Sequence, residues 1–224
     1  TFDFLSPGRL LPAFGLGSNR SRDFIASGTS TTARGQRRTE ALEIMNRLWT
    51  QEDVTFKGKY FEYDIASIMP RPVQVPLPLW IGGSSDAAIE RTARFATGWQ
   101  GSFETPEEAC VIVDKIQSAT IKHGRSIDSD HFGTGFGVRF GSWDEEPVKK
   151  MAADFEKRTG KEAVRGFVVG GADEILTRIQ SYADCGVSKF ILRPTGTGDA
   201  DMQEQTEQII EEILSKTSHL NSAA

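Results

Sequence analysis

The stretch Pro76-Leu77-Pro78-Leu79-Trp80-Ile81-Gly82-Gly83-Ser84-Ser85, followed by a helical pattern and by Gly98-Trp99, decides how the rest of the chain is read. An apolar strand that ends in Gly-Gly-Ser-Ser and opens a helix points several backbone N–H groups into one small space. The helix dipole adds partial positive charge there. Such a turn can hold a phosphate; its plainer reading is a strand-to-helix turn in which Ser84 or Ser85 only caps the helix.

Outward from that turn the chain alternates between strand and helix. A strand at 78–82 leads to a helix at 85–96, a strand at 98–102, a helix at 106–123, a strand at 134–140 and a helix at 145–158. Thr105-Pro106-Glu107-Glu108 is a helix start with a capping Thr, Pro in the first turn and acids beside the dipole. A further unit runs from Phe167-Val168-Val169-Gly170-Gly171 through a helix at 172–185 to the strand Lys189-Phe190-Ile191-Leu192-Arg193, and a helix at 200–216 closes the chain. Upstream, a strand at 9–15 enters the Gly- and Ser-containing loop 15–32. A helix at 34–50 follows, with Leu42, Met45, Leu48 and Trp49 on one face. Residues 54–63 alternate around Lys57-Gly58, a hairpin signal that stands apart from the main pattern. Phe2 to Arg9 reads as a loop. Core strands are expected near 10–15, 78–82, 98–102, 134–140 and 188–193, parallel and joined by helical crossovers, in a doubly wound sheet or a barrel.

Composition narrows the class. The 224 residues are 38% hydrophobic and 25% charged, enough to bury a sizeable core, and the net charge of −5 is spread along the chain. No basic footprint for nucleic acid or acidic membrane is present, no apolar run approaches the roughly 20 residues of a membrane span, and the first residues given lack the basic and apolar regions of a signal peptide. A cytoplasmic protein is expected. Cys110 and Cys185 each fall inside a helical pattern without a second ligand at metal spacing, so buried free thiols are expected and no metal site.

With the strand ends placed, the sequence resembles the bacterial luciferase-like monooxygenase superfamily, the flavin- and coenzyme F-420-dependent (β/α)8-barrel oxidoreductases. The resemblance is carried by Leu5-Ser6-Pro7-Gly8-Arg9-Leu10, Gly15-Leu16-Gly17, Arg38-Thr39-Glu40 with Leu48-Trp49-Thr50, and Phe56-Lys57-Gly58-Lys59-Tyr60-Phe61. It continues through Arg71-Pro72-Val73-Gln74-Val75-Pro76-Leu77-Pro78, Ile81-Gly82-Gly83-Ser84, Gly98-Trp99, Gly170-Gly171-Ala172-Asp173-Glu174 and Gly186-Val187-Ser188-Lys189-Phe190. Each piece is common; their order and spacing across the chain is specific. The resemblance implies an α/β TIM barrel of the luciferase-like type, with the cofactor at the C-terminal ends of the strands. In the family the Leu-Ser-X-Gly-Arg segment precedes the fourth barrel strand. The expectation is therefore one barrel domain represented here by strands four to eight, lacking its first βα units, with 54–63 as a hairpin insertion.

The resemblance also implies a cofactor, reduced flavin mononucleotide (FMN) or coenzyme F-420, acting on a small organic substrate. It assigns the cofactor phosphate to the backbone of Gly83 and Ser84 and the hydroxyl of Ser85, after Gly82. Gly15 and Gly17 flank a position that is Arg in some family members and is Leu16 here, so the phosphate's charge must be met elsewhere. Trp99 gains a pocket role, against the commoner fate of a core aromatic. Arg193, opening the Gly-rich loop Arg193-Pro194-Thr195-Gly196-Thr197-Gly198, is a candidate charge partner. The run Arg34, Arg37, Arg38 at a helix start reads as a solvated basic face, with a nearby anion as the alternative. His123, His131 and His219 read as isolated, and no catalytic acid or base is identified. That fits cofactors whose ring carries the chemistry while the protein binds and orients. The competing functions are a non-catalytic remnant that associates with itself or with the absent barrel part, and a barrel acting on a phosphorylated metabolite without redox chemistry. The latter needs an acid–base pair that the sequence does not show.

Overall fold

In the computed structural model, which describes residues 1–17 and 22–217, the parallel strands and crossover helices fall where the alternation places them. The chain divides into two units. One comprises Thr1–Trp99 with Ser118–Ile127, the other Gln100–Gln117 with the residues from Asp128 onward.

The first unit holds α1 (Phe2–Leu5), β1 (Ala13–Phe14), α2 (Arg22–Ala26), α3 (Arg34–Thr50), β2 (Val54–Lys57), β3 (Glu62–Ala66), β4 (Trp80–Gly82) and α4 (Asp86–Phe95), and ends at the start of β5 (Gly98–Gln100). β1 and β4 are parallel, with Ala13 opposite Trp80 and Phe14 opposite Ile81. Gly15 and Gly83 therefore leave the sheet at the same end. Leu42, Leu79, Ile81 and Ala96 form a buried cluster against which Met45, Trp49 and Phe95 pack, so the apolar face of α3 meets β4 as its spacing requires. Each large aliphatic chain buried this way contributes about 1.5–3 kcal/mol.

Two side chains pin the connections. Glu40 of α3 accepts the N–H groups of Lys59 (2.8 Å), Tyr60 (2.9 Å) and Phe61 (3.2 Å) at the hairpin turn. A Cβ on Gly58 would lie 2.4 Å from the Glu40 carboxylate, so only glycine admits that contact. The buried Asp3 accepts from the N–H of Val73 (2.8 Å), the N–H of Gln74 (2.9 Å) and the Gln74 amide (2.6 Å), and Gln74 also donates to the Leu10 carbonyl at 3.0 Å. The expected loop at the N-terminus is thus a short helix, held by a carboxylate whose partner lies 71 residues away.

The second unit centres on β6 (Phe132–Phe140), which pairs in parallel with both β7 (Phe167–Gly170) and β8 (Lys189–Pro194). The helices α5 (Pro106–Lys122, entering from this unit), α6 (Glu146–Thr159), α7 (Ala172–Ala183) and α8 (Asp199–Gln208) accompany these strands. β7 is a sheet strand that the expected set of core strands omits. A four-residue apolar run bounded by glycines does not by periodicity alone separate a strand from other buried segments. The core gathers Phe132, Phe136, Ile175, Ile179 and Tyr182, with Phe136 and Tyr182 stacked at 6.0 Å. Free thiols are not what the structure shows. Cys110 of α5 and Cys185, just beyond α7, form a disulfide across a Cα separation of 4.5 Å. Sequence spacing says nothing about which helices lie side by side, and that adjacency creates the bond.

Candidate functional site

β4 ends at Gly82, and the chain turns through Gly83 and Ser84 into α4. Gly83 has φ +115°, a conformation reserved for glycine, and a Cβ there would sit 3.1 Å from the Ala88 Cβ. Gly83, Ser84 and Ser85 are all exposed, as a ligand-receiving turn requires. Ser85 is the N-cap of α4, its hydroxyl oxygen accepting the Ala88 N–H at 3.3 Å. The plain capping role is therefore real. It leaves the hydroxyl proton free to be donated outward, so capping and anion binding do not compete.

Trp99 is fully buried, and its indole Nε1–H donates to the Gly83 carbonyl at 3.0 Å. It braces the turn from below. Gly98 beside it lies under the Trp80 ring, where a Cβ would be 2.4 Å from Cε2. The close approach that this glycine allows is made by an aromatic ring of the protein itself.

The register of β1 on β4 brings the Gly15-Leu16-Gly17 turn to the same end of the sheet as Gly83. Gly17 has φ +69°, a Cβ on Gly15 would meet only the Gly17 backbone nitrogen at 3.9 Å, and both are exposed. The rest of the expected loop from 18 to 21 lies outside the described residues, as does His219. The basic run is not a uniformly solvated face. Arg37 donates to the carbonyls of Ser30 and Thr32, whereas Arg38 is half-buried and donates to the Phe14 carbonyl at the end of β1. Burial, together with the nearby Arg91 guanidinium, pushes Arg38 down to about 10. Arg91 escaped the sequence reading; the signal was a basic residue set among Ile89, Thr92 and Ala93 on the buried side of α4.

Arg193 lies in the second unit, on β8, exposed and donating to the Gly135 carbonyl at 3.3 Å. The loop it opens is organised by Asp201, which accepts from the Thr197 N–H (2.6 Å), the Thr197 hydroxyl (2.9 Å) and Arg139 (2.9 Å). The first of these bonds, then the Arg139 contact, lowers the Asp201 carboxyl to about 2. A cavity of about 840 Å³ lies in the same unit, lined by Pro147, Met151, Phe155 and Phe167 with Lys150 and Thr197 among the polar edges.

Two histidines are not isolated. His123 lies 2.8 Å from Glu90, and His131 stands with Asp128 and Asp130, whose ligand atoms fall within 4.8 Å of one another. Lys189 already pairs with Asp130 at 2.8 Å, so that cluster carries its own cation.

Among curated proteins, the chain is 26% identical over 226 residues to a coenzyme F-420-dependent glucose-6-phosphate dehydrogenase of Nakamurella multipartita, covering 88% of this chain and 65% of that protein. It thus spans about two thirds of that relative's length. Among solved structures it resembles a coenzyme F-420-dependent secondary alcohol dehydrogenase, with TM-score 0.76, 18% identity and coverage of 95% of this chain and 71% of the other. A monooxygenase of Streptomyces bottropensis gives TM-score 0.75 at 19% identity, over 96% of this chain and 70% of that one. At such identities the likeness is one of fold, and the fold is that of the luciferase-like barrels. The luciferase-like monooxygenase family profile matches residues 1–159, more than half of the sequence, and the chain belongs to that family.

Proposed function

We propose that this chain is the cofactor-holding part of a luciferase-like oxidoreductase that uses FMN or coenzyme F-420 on a small organic substrate. The observation that carries this reading is the exposed turn Gly83-Ser84-Ser85, braced by Trp99 and lying at the same end of the parallel β1–β4 pair as Gly15 and Gly17. The donor set fits a phosphate: a Gly-only backbone conformation, an N-terminal helix turn and a serine hydroxyl with its proton free. When bound, the flavin or deazaflavin ring supplies hydride or oxygen-transfer chemistry. The chain's own residues bind and orient. Ser84 offers its N–H, Ser85 its hydroxyl and Gly83 the room, while Trp99 fixes the turn.

Five of the six sheet strands, all but β7, are read as the fourth to eighth of the family barrel, a reading that the order of the family's motifs supports. Exposed Phe2, Phe4, Leu5 and Leu11 favour a further chain surface, a second copy or the complementary barrel part, packed beside β1. A small-molecule substrate, with neither nucleic acid nor membrane as partner, accords with the charge distribution, whereas the Cys110–Cys185 disulfide does not favour the cytoplasmic setting that the sequence suggests.

Fluorescence titration with FMN and with coenzyme F-420 tests the proposal and separates the two. Saturable binding of one of them, weakened at least tenfold by Ser85→Ala, is the expected result. Absence of binding by either defeats it.

A further inference from the structure

We propose that Arg38 and Arg91, with the first turn of α3, form a binding site for a phosphate-class oxyanion at the C-terminal end of β1. Arg91 is only 6% exposed, and its Nε makes no hydrogen bond. Arg38 spends one guanidinium nitrogen on the Phe14 carbonyl and leaves Nη1 buried without an acceptor. Among the described residues neither arginine is in an ion pair. The carboxylates nearest in sequence are committed elsewhere, Glu40 to the hairpin turn and Glu90 to His123.

Two guanidinium groups drawn out of water and set against each other are costly, and arginine does not shed its charge at neutral pH to escape. α3 adds to the excess. Its N-cap, Ala33 at φ 57°, supplies no side-chain acceptor, and its first turn contains no acid. Gly35 in that turn faces Arg91, whose Nη1 lies 3.5 Å from the place a Cβ would occupy. Three sources of positive potential thus converge without compensation. Two planar forks and a helix N-terminus match a tetrahedral oxyanion bearing more than one negative charge better than they match a single carboxylate.

The ligand chemistry is phosphate, supplied either as the free ion or as the phosphoryl group of a larger molecule. The site does not rest on the cofactor reading, because its residues are distinct from the Gly83 turn.

The experiment is thermal unfolding of the whole chain in sodium phosphate and in sodium chloride of equal ionic strength, for the wild type, Arg91→Met and Arg38→Met. Methionine keeps the apolar stem and removes the charge. Phosphate at a hundredfold excess over Kd should raise the wild-type Tm by roughly 5–10 °C. Each variant should weaken phosphate binding at least tenfold while keeping or gaining Tm in chloride, because an unpaired buried charge has been removed. Isothermal titration of the wild type with phosphate gives a reading that does not depend on a variant folding. No heat of binding, no stabilisation beyond that by chloride, or a phosphate response retained in both variants overturns the proposal. Competition then identifies the source. Displacement of phosphate by FMN but not by riboflavin assigns the site to a cofactor's phosphoryl group, and phosphate retained in the presence of FMN assigns it to a separate anion.

Discussion

Gly98→Ala is the sharpest test of how the candidate cradle is supported. The new methyl group would lie 2.4 Å from Trp80 Cε2 and 2.7 Å from Cδ2 and Nε1. Carbon atoms pack at about 3.5–4 Å, so ring or strand must yield by roughly 1 Å. Both partners are buried, Trp80 at 5% exposure, and the ring has no open side to retreat to. Overpacking of this kind costs about 1–3 kcal/mol. For a chain of this size each kcal/mol moves Tm by about 2–4 °C, so differential scanning calorimetry should record a fall between roughly 2 and 12 °C. Trp80 begins β4, two residues before Gly82, so the strain should also reach the turn and weaken cofactor binding. Trp80→Leu removes the ring that collides. The double variant should therefore be more stable than the sum of its single effects, by about 1 kcal/mol or more in a double-mutant cycle. A Gly98→Ala protein melting within 1 °C of the wild type, or strict additivity in the cycle, would refute the reasoning.

Other outcomes follow from the same geometry. Gly83→Ala forces an L-residue to φ +115° against Ala88 and should cost about 1–3 kcal/mol in urea unfolding; an unchanged midpoint contradicts the assigned conformation. Trp99→Phe keeps the buried ring but deletes the indole donor to Gly83, with an expected loss of about 0.5–1.5 kcal/mol and a larger effect on cofactor affinity than on Tm. Cys110→Ser should destabilise by about 2–4 kcal/mol, since the disulfide closes 75 residues, and thiol titration of the unreduced, denatured wild type should find none free. Asp201, held at about 2 in the fold against an ordinary 3.8, contributes stability that is complete above pH 4 and is lost as pH falls toward 2. Asp201→Asn should lower Tm near pH 7, where that contribution is fully present, and flatten the acid limb in pH-dependent melting, so that variant and wild type converge toward pH 2.

The sequence made legible what depends on local pattern. The 3.6-residue periodicity of Leu42, Met45 and Trp49 gave α3, Thr105-Pro106 gave the start of α5, and Gly-Gly-Ser-Ser gave the turn into α4. What it concealed depends on residues distant along the chain. Asp3 turns a segment that reads as a loop into an anchored helix only because Gln74 meets it. Cys110 and Cys185 read as separate thiols because nothing local sets α5 beside α7. Within the candidate site, the capping of Ser85 and the glycine requirement at Gly83 follow from local rules. The burial of Arg91 does not, since a lone arginine near the edge of an apolar helix face looks like an exposed one until its neighbours are known.

The hydrogen bond from Trp99 to the Gly83 carbonyl fixes more than the position of the turn. A trans peptide unit is planar, with its C=O and the following N–H pointing in opposite directions. Because the Gly83 oxygen is directed inward at a fully buried indole, the Ser84 N–H is compelled to face outward. The turn is thus polarised before any ligand arrives: its acceptor is consumed within the core, and only its donor is presented. A donor meeting this surface does not find the Gly83 carbonyl to accept its hydrogen, whereas an anion finds the Ser84 N–H already oriented and owes little reorganisation on binding.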